Sequence, residues 1–468
     1  MKKIEKELEE FLSKGADERI FIDKTGLTKY GLPLYSSDLI IRGSCTCNPA
    51  STSALKLLEQ FRENSQSDKY WLQKQEETTQ KLKKLINQKG EDEFEIFYAP
   101  SGTDLIYLPI LMAKLIRPKA TIHNIFSCIE ELGSGTKFAS ECKFYSNTNQ
   151  FGDSVPKAAR LETDTNIKSI FLNARTPEGK IKDPESAIKE FVKENPDSLK
   201  LINLVYGSKS GIEDNLSLID KIKGPNIFYT IDLCQFRHSK EILNMLIKKN
   251  AILFITGSKF YQSPPFSGAL LLPKQIYKRL EDLTDYSSIK DYGQIFSRYD
   301  FPKPLRNDIP LPDEVNKSRI FRWACALSEI EKFNKLSVAE VRNKISGWRK
   351  AVVSTMAEYG EYFELMPQQD LSNKTILSFR VIGEKGYLNH EELRSLYFKI
   401  VKSDYSADYS FPKISIGQPV AYGDKSFLRL AIGSKNIREF VLNEEKEFVI
   451  DKQIIKIIVN QLKNIDEN

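Results

Sequence analysis

The stretch Ala251-Ile-Leu-Phe-Ile-Thr256-Gly-Ser258-Lys259-Phe-Tyr261 passes from an unbroken apolar run to small hydroxylated residues and then to a lysine. Such a run, ended by glycine, predicts a strand that is buried on both faces of a sheet. A lysine held among apolar and aromatic neighbours can have a lowered pKa and act as a Schiff-base nucleophile. In a lysine-rich chain the ordinary alternative is a solvated surface residue, and the setting at a strand end is what singles out Lys259.

Short apolar runs alternate with helical patterns on both sides of this stretch. The runs cover residues 94–99, 121–126, 168–173, 199–206, 226–232, 251–256 and 268–272. This alternation predicts an α/β fold with a mostly parallel sheet and helices on both faces. Four prolines within residues 300–314 indicate a linker. We therefore expect an N-terminal helix and entry segment over 1–52, a large α/β domain over 53–305 and a smaller α+β domain over 306–468.

The composition is that of a globular protein. The chain has 468 residues, 41% of them hydrophobic and 28% charged, with a net charge of +6, which excludes disordered and fibrous classes. Six scattered cysteines do not form a disulfide framework, Cys45-Thr-Cys47 is interpreted as free thiols, and three separated histidines predict no metal site. Without a basic run, an apolar leader or a membrane-length apolar segment, we expect a cytoplasmic protein that binds neither nucleic acid nor membrane.

Two further segments carry candidate chemistry. Ala99-Pro-Ser-Gly102-Thr103-Asp104 follows a strand and opens a helix, where small residues let backbone N–H groups approach an anion. Tyr229-Thr-Ile-Asp232-Leu-Cys-Gln235 places a carboxylate at the carboxyl end of a buried strand, the edge at which open α/β sheets bind ligands. For both segments the alternative interpretation is a simple helix N-cap.

These three segments, in this order and at these intervals, resemble the fold type I pyridoxal-phosphate enzymes, and in particular the class V aminotransferase and cysteine desulfurase superfamily. The resemblance is scattered over roughly residues 95–275, with one more segment near the C-terminus. It implies a large domain with a mostly parallel seven-stranded sheet and a smaller α+β C-terminal domain. It also implies pyridoxal 5'-phosphate as the cofactor.

The resemblance implies a role for each marked residue. Lys259 would hold the cofactor as an imine, while Asp232 would bind its pyridine nitrogen and Gln235 its phenolic oxygen. Arg429, within Ser426-Phe-Leu-Arg429-Leu-Ala-Ile-Gly433, resembles the small-domain arginine that binds the substrate carboxylate, with a surface arginine as the alternative. The residues expected to bind the cofactor phosphate are Gly102, Thr103, Thr256 and Ser258.

The sequence departs from this family at three places. Glu131 stands where relatives carry the residue that stacks on the cofactor ring, and Ser208 stands where they often carry an asparagine, so we expect both to contact the cofactor. The loop cysteine of desulfurases would lie shortly before Arg429, but the last cysteine, Cys325, is far upstream. A persulfide-forming desulfurase is therefore not expected.

The sequence thus predicts an enzyme of amino-acid metabolism that acts on a free amino acid, with Lys259 and Asp232 as its catalytic residues. Aminotransferase and carbon–sulfur or related lyase activity both remain open. The alternative is a catalytically degenerate domain of the same fold that serves as a binding or assembly module. A homodimer is also expected, because strand-end loops rich in Tyr107, Tyr261 and Phe266 suit a packed contact, although these rings could instead pack within their own chain.

Overall fold

The computed structural model describes residues 2–62, 67–87, 93–161, 166–367, 374–409 and 413–466. Its strands are β1 (Ile40–Arg42), β2 (Phe94–Ala99), β3 (Ile122–Phe126), β4 (Ile167–Phe171), β5 (Leu199–Val205), β6 (Ile227–Asp232), β7 (Ile252–Thr256), β8 (Gly268–Pro273), β9 (Phe363–Leu365), β10 (Ile376–Gly383), β11 (Gly386–Tyr387), β12 (Ile414–Tyr422) and β13 (Lys425–Ala431). Its α-helices are α1 (Lys2–Leu12), α2 (Thr52–Phe61), α3 (Asp68–Ile86), α4 (Tyr107–Ile116), α5 (Thr136–Ala139), α6 (Glu185–Glu194), α7 (Leu218–Lys221), α8 (Lys240–Lys248), α9 (Lys274–Glu281), α10 (Lys317–Phe333), α11 (Val338–Ala357), α12 (His390–Lys402), α13 (Ser406–Tyr409), α14 (Ser434–Leu442) and α15 (Glu444–Asp466).

The larger sheet has seven strands in the order β2-β8-β7-β6-β5-β3-β4. Its neighbours from β7 to β4 pair in parallel, and β8 runs antiparallel to both β2 and β7. Every residue of β3, β5, β7 and β8 is buried, as near-continuous apolar strands covered on both faces should be. The expectation of a mostly parallel seven-stranded sheet is confirmed.

A second sheet, in the order β1-β12-β13-β10-β11 with β9 paired to β10, contains most of the C-terminal strands. Its edge strand β1 comes from the N-terminal segment and pairs in parallel with β12, Ile40 opposite Ile414. Arg42 of β1 also bonds Glu447 and Asp451 of α15, each at 2.6 Å, in a buried ion cluster. The sequence pattern predicts no strand before residue 52, because three residues give no periodic signal and their partner lies far along the chain.

Residues 300–314, marked by prolines in the sequence, pack against the core of the larger sheet. They contain the short 3-10 helix Lys303–Leu305 and bury Phe301, Ile309 and Leu311. No helix within the described ranges is both long and apolar enough to cross a membrane.

The aromatic residues of the strand-end loops pack inside their own chain. Tyr107, Tyr261 and Phe266 are 1%, 9% and 0% exposed in this single chain. The composition of these loops therefore gives no support to a subunit contact, which corrects the argument drawn from the sequence. The dimer expectation then depends on the family resemblance and on the general frequency of two-fold pairing.

Candidate functional site

A cavity of about 430 Å³ opens at the carboxyl ends of β5, β6 and β7. Parallel strands all present their carboxyl ends at one edge of a sheet, so residues distant in sequence meet there. Six residues singled out in the sequence line this one cavity: Glu131, Ser208, Asp232, Gln235, Lys259 and Arg429. Its volume lies within the range of small-molecule sites, about 300–1,000 Å³.

Lys259 lies directly after β7, in a loop held by the second sheet's domain. The backbone N–H of Ser434 donates to Phe260 O at 2.8 Å, and that of Lys435 donates to the side chain of Gln262 at 3.1 Å. The Nζ atom of Lys259 makes no hydrogen bond or ion pair within the described residues. The loop thus fixes the backbone of Lys259 and leaves its amine available to the cavity.

The hydrogen bonds from Ser434 and Lys435 to the Lys259 loop, here called the clamp, require glycine at position 433, because there is no room for a side chain. A Cβ atom at Gly433 would lie 2.5 Å from Phe260 O and 2.7 Å from the Cδ of Gln262. We expect Gly433→Ala to displace the Lys259 loop and to lower the free energy of unfolding by about 1–3 kcal/mol, the usual cost of overpacking. Denaturant unfolding measures this change. Gly360→Ala is the control, since its nearest atom would be 3.5 Å away, and equal effects of the two variants would contradict the clamp.

Asp232 and Gln235 present side-chain atoms to the same cavity from the end of β6. The Oδ1 atom of Asp232 accepts a hydrogen bond from Cys234 N at 2.8 Å. The N-cap interpretation of Asp232 is wrong, because the next helix, α8, begins only at Lys240. Gln235 accepts from Ser44 at 2.5 Å through Oε1, while its Nε2 is buried without a partner among the described residues. Gln235 therefore has an unused donor.

Two of the four residues expected to bind phosphate, Gly102 and Thr256, lie against Cys234, and none of the four is among the residues that line the cavity. A Cβ on Gly102 would lie 2.7 Å from Cys234 Sγ, and the hydroxyl of Thr256 donates to Cys234 O at 2.7 Å. Ser258 is fully buried and its Oγ has no partner among the described residues. Thr103 makes no capping hydrogen bond through its side chain. Of the two hydroxyls beside Lys259, only that of Ser258 is therefore uncommitted.

The N-terminal segment adds a residue that sequence reasoning missed. Arg19 lines the cavity and donates to Asp17 at 2.6 Å and to Ser101 Oγ at 2.9 Å. Asp104 follows Ser101 in the same turn, and burial together with the nearby Asp17 carboxylate raises the pKa of its carboxyl group to about 6. Nothing in the local sequence connects residue 19 with the turn at residue 101, because only the fold brings them together.

Glu131 and Ser208, two of the three departures from the pattern of the resembling family, are hydrogen-bonded to each other. Ser208 Oγ donates to the Glu131 carboxylate at 2.6 Å, and the hydroxyl of Ser210 donates to it at 2.7 Å. Burial raises the pKa of Glu131, but Arg175, Lys209 and these serine hydrogen bonds outweigh it, so the pKa lies below its ordinary value. The cavity wall therefore contains an ionised carboxylate where the family carries a stacking residue.

Arg429 is 4% exposed, which rules out the surface interpretation. Lys209, a residue that no sequence motif marks, lines the cavity beside it. Cys45 and Cys47 also line the cavity as buried free thiols, whose pKa values burial raises. The interpretation of these two cysteines as free thiols in a packed segment is confirmed.

No protein-family model matches the sequence, and a search of curated proteins finds no match. Solved structures do match. A cysteine desulfurase from Escherichia coli aligns over 90% of this chain and 95% of its own with a TM-score of 0.57 and 12% identity. A ureidoglycine-glyoxylate aminotransferase from Bacillus subtilis aligns over 90% and 93% with a TM-score of 0.54 and 12% identity. The TDC of Oryza sativa, solved with PLP and tryptamine, aligns over 94% and 85% with a TM-score of 0.54 and 10% identity.

Each of these alignments spans nearly the whole of this chain, while the identities lie far below the level at which function transfers. They establish the architecture and leave the chemistry to the residues of the cavity. The strand order and the strand-end position of the cavity agree with that architecture. This chain has the fold of the fold type I pyridoxal-phosphate-dependent enzymes.

Proposed function

We propose that this chain binds pyridoxal 5'-phosphate and is an enzyme that acts on a free amino acid as an aminotransferase or a lyase. The observation that carries the proposal is the meeting of Lys259, Asp232 and Gln235 in one cavity at the carboxyl edge of the sheet. A lone lysine at a strand end is weak evidence. An uncommitted amine, a carboxylate and an amide donor around one cavity of suitable size match what this cofactor requires.

Two buried donors fit this cofactor, one on Gln235 in the cavity lining and one on Ser258, the neighbour of Lys259 in sequence. Ser258 Oγ and Gln235 Nε2 are buried donors without partners among the described residues, a costly arrangement unless a ligand accepts from them. A side chain on Gly102 would collide with Cys234 Sγ, so the residue directly before Thr103 presents only its backbone. We assign phosphate binding to this turn and to Ser258, and contact with the phenolic oxygen to Gln235.

Each of the candidate residues has a separate chemical role. Pyridoxal phosphate, when bound, supplies an electron sink for the α-carbon of an amino acid. Lys259 Nζ would hold the cofactor and would accept and return the α-proton of the substrate. The Asp232 carboxylate would hold a proton on the ring nitrogen, and a protonated ring is the better electron sink. Arg429 binds the substrate carboxylate.

The test begins with cofactor binding. We expect the purified protein, titrated with pyridoxal phosphate, to develop the visible absorbance of a lysine-bound cofactor. A panel of amino acids, assayed for keto acid, ammonia, carbon dioxide and sulfide, then separates aminotransferase from lyase. Failure to bind the cofactor at all would overturn the proposal and favour a non-catalytic binding or assembly module.

We also propose that the protein is a homodimer, as is common in proteins of this fold and among soluble oligomers generally. Light scattering of the cofactor-loaded protein at micromolar concentration should give twice the mass of one 53.7 kDa chain. A mass near that of a single chain would rule the dimer out without affecting the proposed chemistry.

A further inference from the structure

Lys209 places a second amine in the cavity. It follows β5 in the loop that also contains Ser208, is half-buried, and lines the cavity together with Lys259 and Arg429. Its Nζ makes no hydrogen bond or ion pair within the part of the chain that the structure describes. The Glu131 carboxylate attracts this ammonium group but forms no ion pair with it, so the group is free to bind an anion directly.

Arg429 adjoins Lys209 and has no carboxylate partner either. Its Nη1 donates to Lys209 O at 3.0 Å, and its Nε and Nη2 donate to Gln418 O at 3.2 and 2.9 Å. No carboxylate oxygen of the described residues lies within 4 Å of its guanidinium nitrogens. Carbonyl oxygens orient the group but do not neutralise it, and the Glu131 carboxylate attracts it without forming an ion pair, so this nearly buried charge can accept an anion.

The surrounding charges leave this end of the cavity positive. Glu131 already accepts hydrogen bonds from Ser208 and Ser210, and Glu130 accepts one from Ala174 N at 2.8 Å. Burial lowers the pKa of Lys209 to about 8. The positive charges of Arg429 and Lys259 also lower this pKa, whereas the Glu131 carboxylate raises it. These cations repel one another, which destabilises the folded chain, and a bound anion would offset that repulsion.

The sheet order separates this positive end from the region assigned to phosphate. β6 lies between β5 and β7, so β5, which Lys209 follows, and β7, which Lys259 follows, are two strand spacings or about 10 Å apart. Gly102 and Ser258 belong to the β2 and β7 ends of the sheet. The cofactor phosphate and the positive end near β5 therefore belong to opposite sides of the cavity.

We propose that Lys209 and Arg429 together bind the carboxylate of the amino-acid substrate. Arg429 is held in place by backbone carbonyls, and Lys209 supplies the second cation. The inference rests on the proposed function, because it assumes an amino acid whose amine reaches the cofactor held by Lys259.

The test uses two reagents that displace a lysine from pyridoxal phosphate. Aminooxyacetate contains a carboxylate, whereas methoxyamine has none. In the cofactor-loaded Lys209→Met variant, we expect reaction with aminooxyacetate to slow by about tenfold or more, the loss of one charge-assisted hydrogen bond. Reaction with methoxyamine should keep its wild-type rate, and both rates are followed by the loss of visible absorbance.

Two variants sharpen the result. Lys209→Arg keeps the cation and should recover most of the aminooxyacetate rate. Lys137→Met removes another lysine that lines the cavity from α5, and should leave the ratio of the two rates unchanged. An unchanged ratio in Lys209→Met would overturn the role of Lys209 while leaving the proposed function intact, whereas failure to load the cofactor would overturn the proposed function itself.

Discussion

The Lys259→Ala variant is expected to lose the form of the cofactor bound to residue 259 and to lower turnover by at least about 10²-fold, because one amine both holds the cofactor and moves the α-proton. The loop that carries Lys259 is fixed through its backbone by Ser434 and Lys435. Truncating the side chain should therefore leave the fold intact. Borohydride, which reduces a lysine–cofactor imine to a stable amine, is the direct measurement.

Lys209 affects the interpretation of the borohydride experiment. It is a second amine in the same cavity, and burial lowers its pKa to about 8, so it can capture the cofactor when Lys259 is absent. Peptide mapping of the reduced wild-type protein should place the cofactor on Lys259. The double variant Lys259→Ala/Lys209→Met should fix none, and a cofactor mapped to any residue other than Lys259 in the wild type would remove Lys259 from its proposed role.

The Asp232→Asn variant is expected to bind pyridoxal phosphate and yet to lose most of its turnover. The amide has the shape of the carboxylate and can keep the hydrogen bond from Cys234 N, but it cannot hold a proton on the ring nitrogen. Removal of one such electrostatic contact typically costs about 10²–10³-fold in kcat. Steady-state kinetics at saturating cofactor measures the loss.

Asp220→Asn is the matched control, since it makes the same chemical change at an exposed carboxylate that pairs with surface lysines. It should retain wild-type kinetics. Cofactor affinity, measured by absorbance titration of both variants, separates weak loading from slow chemistry. A normal kcat in Asp232→Asn would show that the ring nitrogen does not depend on this carboxylate.

The strands of the larger sheet and the chemistry-bearing segments follow from the sequence alone. The apolar runs are long enough to require burial on both faces, and that requirement predicts the parallel sheet. Asp232 ends such a run, Gln235 and Lys259 each come three residues after one, and the carboxyl ends of parallel strands meet at one edge. These local and nearest-neighbour rules are sufficient to place the three side chains around a common cavity.

Tertiary structure alone decided which neighbours each side chain has. Arg19, Lys209, Cys45 and Cys47 reach the cavity from segments without any motif, because the pairing of β1 with β12 and the loop after β5 bring them there. The same packing buries Tyr107, Tyr261 and Phe266 inside the chain, although their composition suited a surface contact equally well. The periodicity of a sequence indicates whether a residue is buried. The partner that a charged group or an aromatic ring contacts depends on distant segments of the chain, which come together only in the folded state.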